Sequence, residues 1–255
     1  MPIEIRQFPC FQDNYGYLVR DVASGAVAAI DSPEPERINA ELAAAGWKLT
    51  HIFNTHHHWD HAGGNLALKT KWGCEIVAPA DEATIIPGVD HQVREGDVVR
   101  LGESSAVVVE TPGHTVGHVV YRFADDGAAF VGDTLFALGC GRLFEGEPEQ
   151  MWSSLSKLAA LPNETVVYCA HEYTESNARF ALSLGEENPA LDARANEVFE
   201  KRRAGEWTVP TSIGVELETN PFLRADKQSM RGALKMRDAP AAAVFAEIRR
   251  RKDAF

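Results

Sequence analysis

Residues 55–64 read THHHWDHAGG, which places four of the nine histidines of this 255-residue chain and one aspartate between positions 56 and 61. Imidazole and carboxylate are ligands for borderline and hard cations, so their clustering points to a metal ion and to water activated on it. In extended backbone His56 and His58, two apart, project to one face, and His57 projects to the other. Asp60 and His61 fall in the turn toward the next helix, aimed elsewhere but nearby, so two adjacent sites are expected. Ala62, Gly63 and Gly64 keep that turn free of bulk.

A site of this kind needs ligands from other parts of the chain. VVVETPGH turns at Pro112-Gly113 to reach His114, AAFVGD ends at Asp133 and VVYCAH ends at His171. Each is a short apolar run closing on a metal-competent side chain, the placement expected of functional groups on a rigid support. His56, His58, Asp60, His61, His114, Asp133 and His171 make seven candidate ligands. One tetrahedral zinc uses three or four, so seven suit two divalent ions with a carboxylate able to bridge. No thiolate is among them; zinc is the first choice, and iron or manganese would also be accepted. Ions about 3.5–4 Å apart can hold a hydroxide and polarise a substrate oxygen, which is hydrolytic chemistry. Asp60 and Asp133 are expected to serve catalysis beside that hydroxide. There is no GxSxG elbow, and no cysteine has an evident base, so a covalent nucleophile is disfavoured. His51, His57, His91 and His118 are read as structural.

The elements that must carry these residues are mostly strands up to about residue 170. IEIRQF, YLVRD, AVAAID, LTHIFN, EIVAP, DVVRL, AVVVE, HVVYRF, AAFVGD and VVYCA are apolar runs bounded by Gly, Pro, Asp and Asn. PERINAELAAAG, AGGNLALKTKWG and EPEQMWSSLSKLAAL read as helices. Many strands with few helices predict an α/β fold of two packed sheets with helices outside. After Glu172 the character changes: residues 174–204 read as helix, 206–222 as irregular and 239–252 as a final helix. The expected division is a catalytic domain over 1–172 and a smaller α-helical domain over 173–255.

Composition excludes several classes. The net charge is −12, which argues against nucleic acid, and no run approaches the roughly 18 apolar residues of a membrane span. The start, MPIEIRQFPC, lacks a basic segment followed by an apolar one, so a cytoplasmic protein is expected. Cys10, Cys74, Cys140 and Cys169 are scattered singly and read as reduced core fillers. Residues 224–255 break the acidic trend with nine Lys or Arg against four acids, a local +5 that leaves −17 for the rest.

THHHWDHAGG, TPGHTVGH, FVGDTLF and CAHEYT, in this order, resemble the metallo-β-lactamase superfamily. GCGRLFEG, NPFLR and the basic tail narrow the resemblance to the glyoxalase II, or hydroxyacylglutathione hydrolase, family over effectively the whole chain. The resemblance implies a metallo-β-lactamase-like αββα sandwich followed by a smaller C-terminal helical domain. It implies hydrolysis of S-D-lactoylglutathione to glutathione and D-lactate, in methylglyoxal detoxification; a monomer is expected. His56, His58 and His114 would hold one ion, Asp60, His61 and His171 the other, and Asp133 would bridge. Arg142, Tyr173, Arg249 and Lys252 fall where the family contacts glutathione, although Arg142 replaces a common Lys and Phe144 a common Tyr. Read without the resemblance, RRRK is a solvated helix end. The other readings are a mononuclear-iron persulfide dioxygenase, another hydrolase of the same fold acting on lactones or RNA, and a metal-binding module without turnover.

Overall fold

The computed structural model describes residues 3–255; Met1 and Pro2, the first residues of the segment read for a leader, lie outside them. The chain divides into two compact units, one formed by residues up to Glu110 with Thr115–Gly132, the other by Thr111–His114 with Asp133–Phe255.

The first unit contains, in chain order, β1 (Ile3–Cys10), β2 (Asn14–Asp21), β3 (Val27–Ile30), α1 (Pro35–Ala45), β4 (His51–Phe53), α2 (Trp59–Ala62), α3 (Asn65–Trp72), β5 (Glu75–Pro79), β6 (His91–Val93), β7 (Val98–Leu101), β8 (Ser104–Glu110), β9 (Val119–Phe123) and β10 (Ala128–Gly132). One sheet has the order β1 to β6, antiparallel from β1 to β3 and parallel from β3 to β6. Strand β3, VAAI, is buried at every position because it lies inside a sheet covered on both faces. Within this unit the other sheet runs β10-β9-β8-β7, all antiparallel. The two sheets meet through ring contacts, Tyr17 with Phe130 at 5.5 Å and Phe53 with Tyr121 at 5.3 Å. The buried Tyr121 hydroxyl donates to the Asn54 carbonyl at 2.9 Å, so the phenol enters the core without an unsatisfied donor. Ile38 and Leu42 of α1 and Leu68 of α3 pack on Leu18, Val27, Ala29, Ile52 and Ile76 of the first sheet. Helix α1 starts at Pro35 and stops at Gly46 in the left-handed conformation.

The ten apolar runs are strands. Strand β6 escapes the pattern because HQV is three residues long and exposed at two of them. The helix expected from Ala62 is two pieces, and its short first turn, α2, carries Asp60 and His61. The parallel register pairs Ile30 with Phe53, which sets Asp31 beside the Asn54–His58 loop.

The second unit contains β11 (Leu135–Phe136), β12 (Gly139–Cys140), α4 (Pro148–Ala159), β13 (Val166–Cys169), α5 (Thr174–Ser183), α6 (Pro189–Arg203), β14 (Thr211–Ser212), α7 (Ile213–Thr219), α8 (Gln228–Ala233) and α9 (Ala241–Asp253). Helix α4 opens with a capping box, Glu147 and Gln150 satisfying each other's backbone. The helix expected over 174–204 breaks in two because Gly185 is left-handed and Asn188-Pro189 starts a new one, the Asn188 side chain accepting from Leu191 N–H. The stretch expected to be irregular contains α7, capped by Ser212. Its buried Glu216 accepts from Leu138 N–H and from Arg194, while Asn220 Nδ2 donates to the carbonyls of Phe136 and Gly139, so the β11–β12 hairpin is held by side chains from α7. Helices α4 and α9 pack through Trp152 and Phe245.

Candidate active site

In the first unit the ring of His56 lies 4.7 Å from that of His58 and 4.0 Å from that of His61. A donor atom of His56 comes within 4.8 Å of one on His58, and the same holds for His56 with His61 and for Asp60 with His61. The spacing explains this: β4 ends at Phe53, and the extended loop sends His56 and His58 to one side before α2 turns Asp60 and His61 back toward them.

Hydrogen bonds fix which nitrogen each ring presents. His61 Nδ1 donates to Asp31 Oδ2 at 2.7 Å, and a carboxylate only accepts, so Nε2 carries the lone pair. The Thr55 hydroxyl donates to the same Oδ2 at 2.8 Å, which leaves Oγ1 to accept from His56 Nδ1 at 3.0 Å. Asp31 Oδ1 also accepts from Thr55 N–H at 2.7 Å. Asp31 thus orients two imidazoles, one directly and one through Thr55, and its φ of 58° is the left-handed strain that functional loops retain. Asn14 Nδ2 steadies Asp60 Oδ2 at 2.9 Å. His57 faces away as its position requires: its backbone N–H and Nδ1 both meet Glu82 Oε2. His118 is buried and stacks on His56 at 4.9 Å. Gly132 has a φ of 48°, and a Cβ there would meet His118 Nε2 at 2.6 Å, so the chain can pass this ring only as glycine.

In the second unit Asp133 offers one oxygen to each of two histidines, Oδ2 at 3.4 Å from His114 Nε2 and Oδ1 at 3.4 Å from His171 Nε2. All three residues are buried. His114 Nδ1 donates to the Arg142 carbonyl at 2.8 Å, which again presents Nε2. A Cβ on Gly141 would meet the Asp133 carbonyl oxygen, so glycine lets the chain from β12 to Arg142 lie against the site. The Tyr173 ring stacks on His171 at 4.7 Å and 6°. Sequence reasoning missed Asp31, Thr55, Asn14 and Glu82; the one signal was that Asp31 closes an apolar run as Asp133 does.

His114 and Asp133 line a cavity of about 340 Å³ together with Arg142, Tyr173, Arg249 and Lys252, the four residues expected to touch substrate. Lys252 Nζ donates to the carbonyl and hydroxyl of Ser176 and lies over the rings of Phe180 and Phe255. Burial, helped by the neighbouring Arg249 charge, pushes its pKa down to about 8. The four cysteines are free and buried, and burial raises their thiols, Cys10 and Cys169 to about 12 and Cys74 and Cys140 to about 11. They remain thiols at neutral pH, which removes them as nucleophiles.

Residues 17–171 match the family model of the metallo-beta-lactamase superfamily, and residues 172–255 match that of the hydroxyacylglutathione hydrolase C-terminus. Among curated proteins, a hydroxyacylglutathione hydrolase from Maricaulis maris is 56% identical over 98% of each chain, and one from Chelativorans sp. is 54% identical over 100% of each. Among solved structures, that of ETHE1 from Myxococcus xanthus superposes with a TM-score of 0.68 at 27% identity, covering 99% of this chain and 100% of the other.

Proposed function

The chain belongs to the hydroxyacylglutathione hydrolase family of the metallo-β-lactamase superfamily, and from that premise we propose that it hydrolyses S-D-lactoylglutathione to glutathione and D-lactate. It is a thioester hydrolase with the α/β metallo-β-lactamase fold and a helical C-terminal domain. Its His/Asp clusters and its superfamily imply divalent metal.

The proposed allotment puts His56, His58 and His114 on one ion, Asp60, His61 and His171 on the second, and Asp133 across both. The donor set fits such a centre: five imidazoles and two carboxylates, with His56, His61 and His114 held in the tautomer that presents Nε2. The same chemistry makes zinc the preferred metal and accepts iron or manganese. When bound, such ions lower the pKa of a water to about 7 and place positive charge beside the oxygen of a polarised carbonyl.

The observation that carries the substrate assignment is the cavity of about 340 Å³, where His114 and Asp133 share walls with Arg142, Arg249 and Lys252. Its volume lies within the range of small-molecule pockets, and in a protein of net charge −12 its three cations suit the carboxylates of glutathione. Tyr173, stacked on His171 at the cavity wall, would contact the peptide portion of glutathione. Asp60 and Asp133 hold the ligand geometry through the reaction, and the thiolate leaves without a strong general acid. In this reading residues 1–172 form the catalytic domain and 173–255 the substrate-binding domain. The same reading makes the protein a cytoplasmic monomer acting in methylglyoxal detoxification. No helix among the described residues is long and apolar enough to cross a membrane.

The test is loss of thioester absorbance from S-D-lactoylglutathione in anaerobic buffer, with glutathione and D-lactate both quantified. Equal yields of the two products support the reading. Turnover that appears only with oxygen and a persulfide substrate would replace it with a dioxygenase.

A further inference from the structure

The two arginines of the substrate cavity differ in what they have left to offer. Arg249 is 6% exposed and three of its five donors are engaged: Nε and Nη2 donate to Asp253 Oδ1 at 3.0 and 2.7 Å, and Nη1 donates to the Cys140 carbonyl in β12 at 3.1 Å. Its guanidinium also lies over the Phe222 ring at 5.2 Å. The side chain of Arg142 is 59% exposed and is steadied from two sides, by the Phe144 ring at 5.9 Å and by Asp253 Oδ1, 3.4 Å from its Nε. One carboxylate oxygen, at the last residue of α9, therefore joins the buried arginine to the exposed one.

An exposed arginine with no partner samples many rotamers, and a ligand that captures it must oppose that entropy. Asp253 reduces the loss in advance. Arg249 fixes the carboxylate against β12, and the carboxylate fixes Arg142 at the cavity wall with its Nη groups still able to donate. A carboxylate also offsets part of the repulsion among three cations lining one cavity.

We propose that Asp253 is a positioning residue for the anionic end of the substrate, acting through Arg142. The inference rests on the glutathione thioester reading above. It makes Arg249 the anchor of this arrangement as well as a cation of the cavity, and adds Arg142 to Arg249 and Lys252 as a donor held ready for the substrate.

The test is a double-mutant cycle on the metal-loaded enzyme with Asp253→Ala, Arg142→Ala and both together. Each is assayed with S-D-lactoylglutathione and with S-lactoyl-N-acetylcysteamine, a thioester without carboxylates. Asp253→Ala is expected to raise KM for the glutathione thioester about three- to tenfold and to change kcat less than about twofold. In the Arg142→Ala background it should raise KM no further. On the carboxylate-free thioester its kcat/KM should match the wild type, a selectivity that general loosening of the fold would not produce. Should Asp253→Ala fail to fold, Asp253→Asn keeps an acceptor oxygen for Arg249 and is expected to shift KM in the same direction.

An unchanged KM, or the same rise with and without Arg142, overturns the inference. A lowered KM also overturns it and makes Asp253 a competitor of the substrate. No turnover of S-D-lactoylglutathione by the wild-type holoenzyme defeats the proposed function and this inference together, whereas wild-type turnover with an unmoved KM in the variant defeats this inference alone.

Discussion

Replacing Asp31 with asparagine changes one charge and almost no volume, and asparagine tolerates the left-handed backbone at this position, φ 58°. Three donors converge on the carboxylate: Thr55 N–H on Oδ1, and the Thr55 hydroxyl and His61 Nδ1 on Oδ2. An amide has one oxygen. If that oxygen takes the Oδ2 place, the amide NH2 faces Thr55 N–H; if it takes the Oδ1 place, the NH2 faces His61 Nδ1. A buried donor opposed by a donor loses about 1–3 kcal/mol, and the hydrogen bond that survives is neutral where it was charge-assisted. His61 can escape the conflict only by moving its proton to Nε2, which removes the lone pair meant for metal. At 1.4 kcal/mol per tenfold, metal affinity at the His61 ion should fall about 10- to 100-fold, the range usual for partners of ligating histidines. Competition of Asp31→Asn and wild type against a chromophoric chelator measures this, with circular dichroism to show that the fold is kept. A folded variant that binds both equivalents with wild-type affinity would refute the role given to Asp31.

Asp133→Ala removes the carboxylate that faces both His114 and His171 and should abolish loading of both ions and thioesterase activity together; full turnover with two metals bound contradicts this. Lys252 loses its proton as pH rises through about 8, so kcat/KM, which reports the free enzyme, should fall across that pH while kcat stays flat. Lys252→Arg should move the break beyond the measurable range, and a break that persists near 8 assigns it to another group. Arg194→Met leaves the fully buried Glu216 without its cation and should cost about 3–5 kcal/mol in urea unfolding, against less than about 1 if the pair were a surface contact.

The sequence displays some of this molecule well. Strands such as VAAI and AVVVE are visible because apolar runs between turn residues have few other uses, and α1 is visible through Pro35 and Gly46. His56, His58, Asp60 and His61 stand out because good ligands recur within six positions of a strand end. What escapes notice is whatever depends on a partner distant in the chain. Asp31 is one aspartate among many until the parallel register of β3 and β4 sets it beside Thr55. Glu216 and Asn220 sit in a stretch that looks irregular, because a seven-residue helix held by tertiary hydrogen bonds has too little periodicity to register. Asp253, inside RRRKDAF, reads as one acid in a basic tail, and its contacts with Arg142 and Arg249 emerge only when α9 folds back on β12.

The proposed function requires His56, His58, Asp60 and His61, together with His114, Asp133 and His171, to serve one dinuclear centre that cleaves thioesters. Metal analysis of the purified protein, combined with titration of metal back into chelator-stripped protein while S-D-lactoylglutathione hydrolysis is followed, measures it directly. Activity is expected to return with metal and to reach its maximum at two equivalents per chain. Full activity at one equivalent, or in protein free of metal, would contradict it.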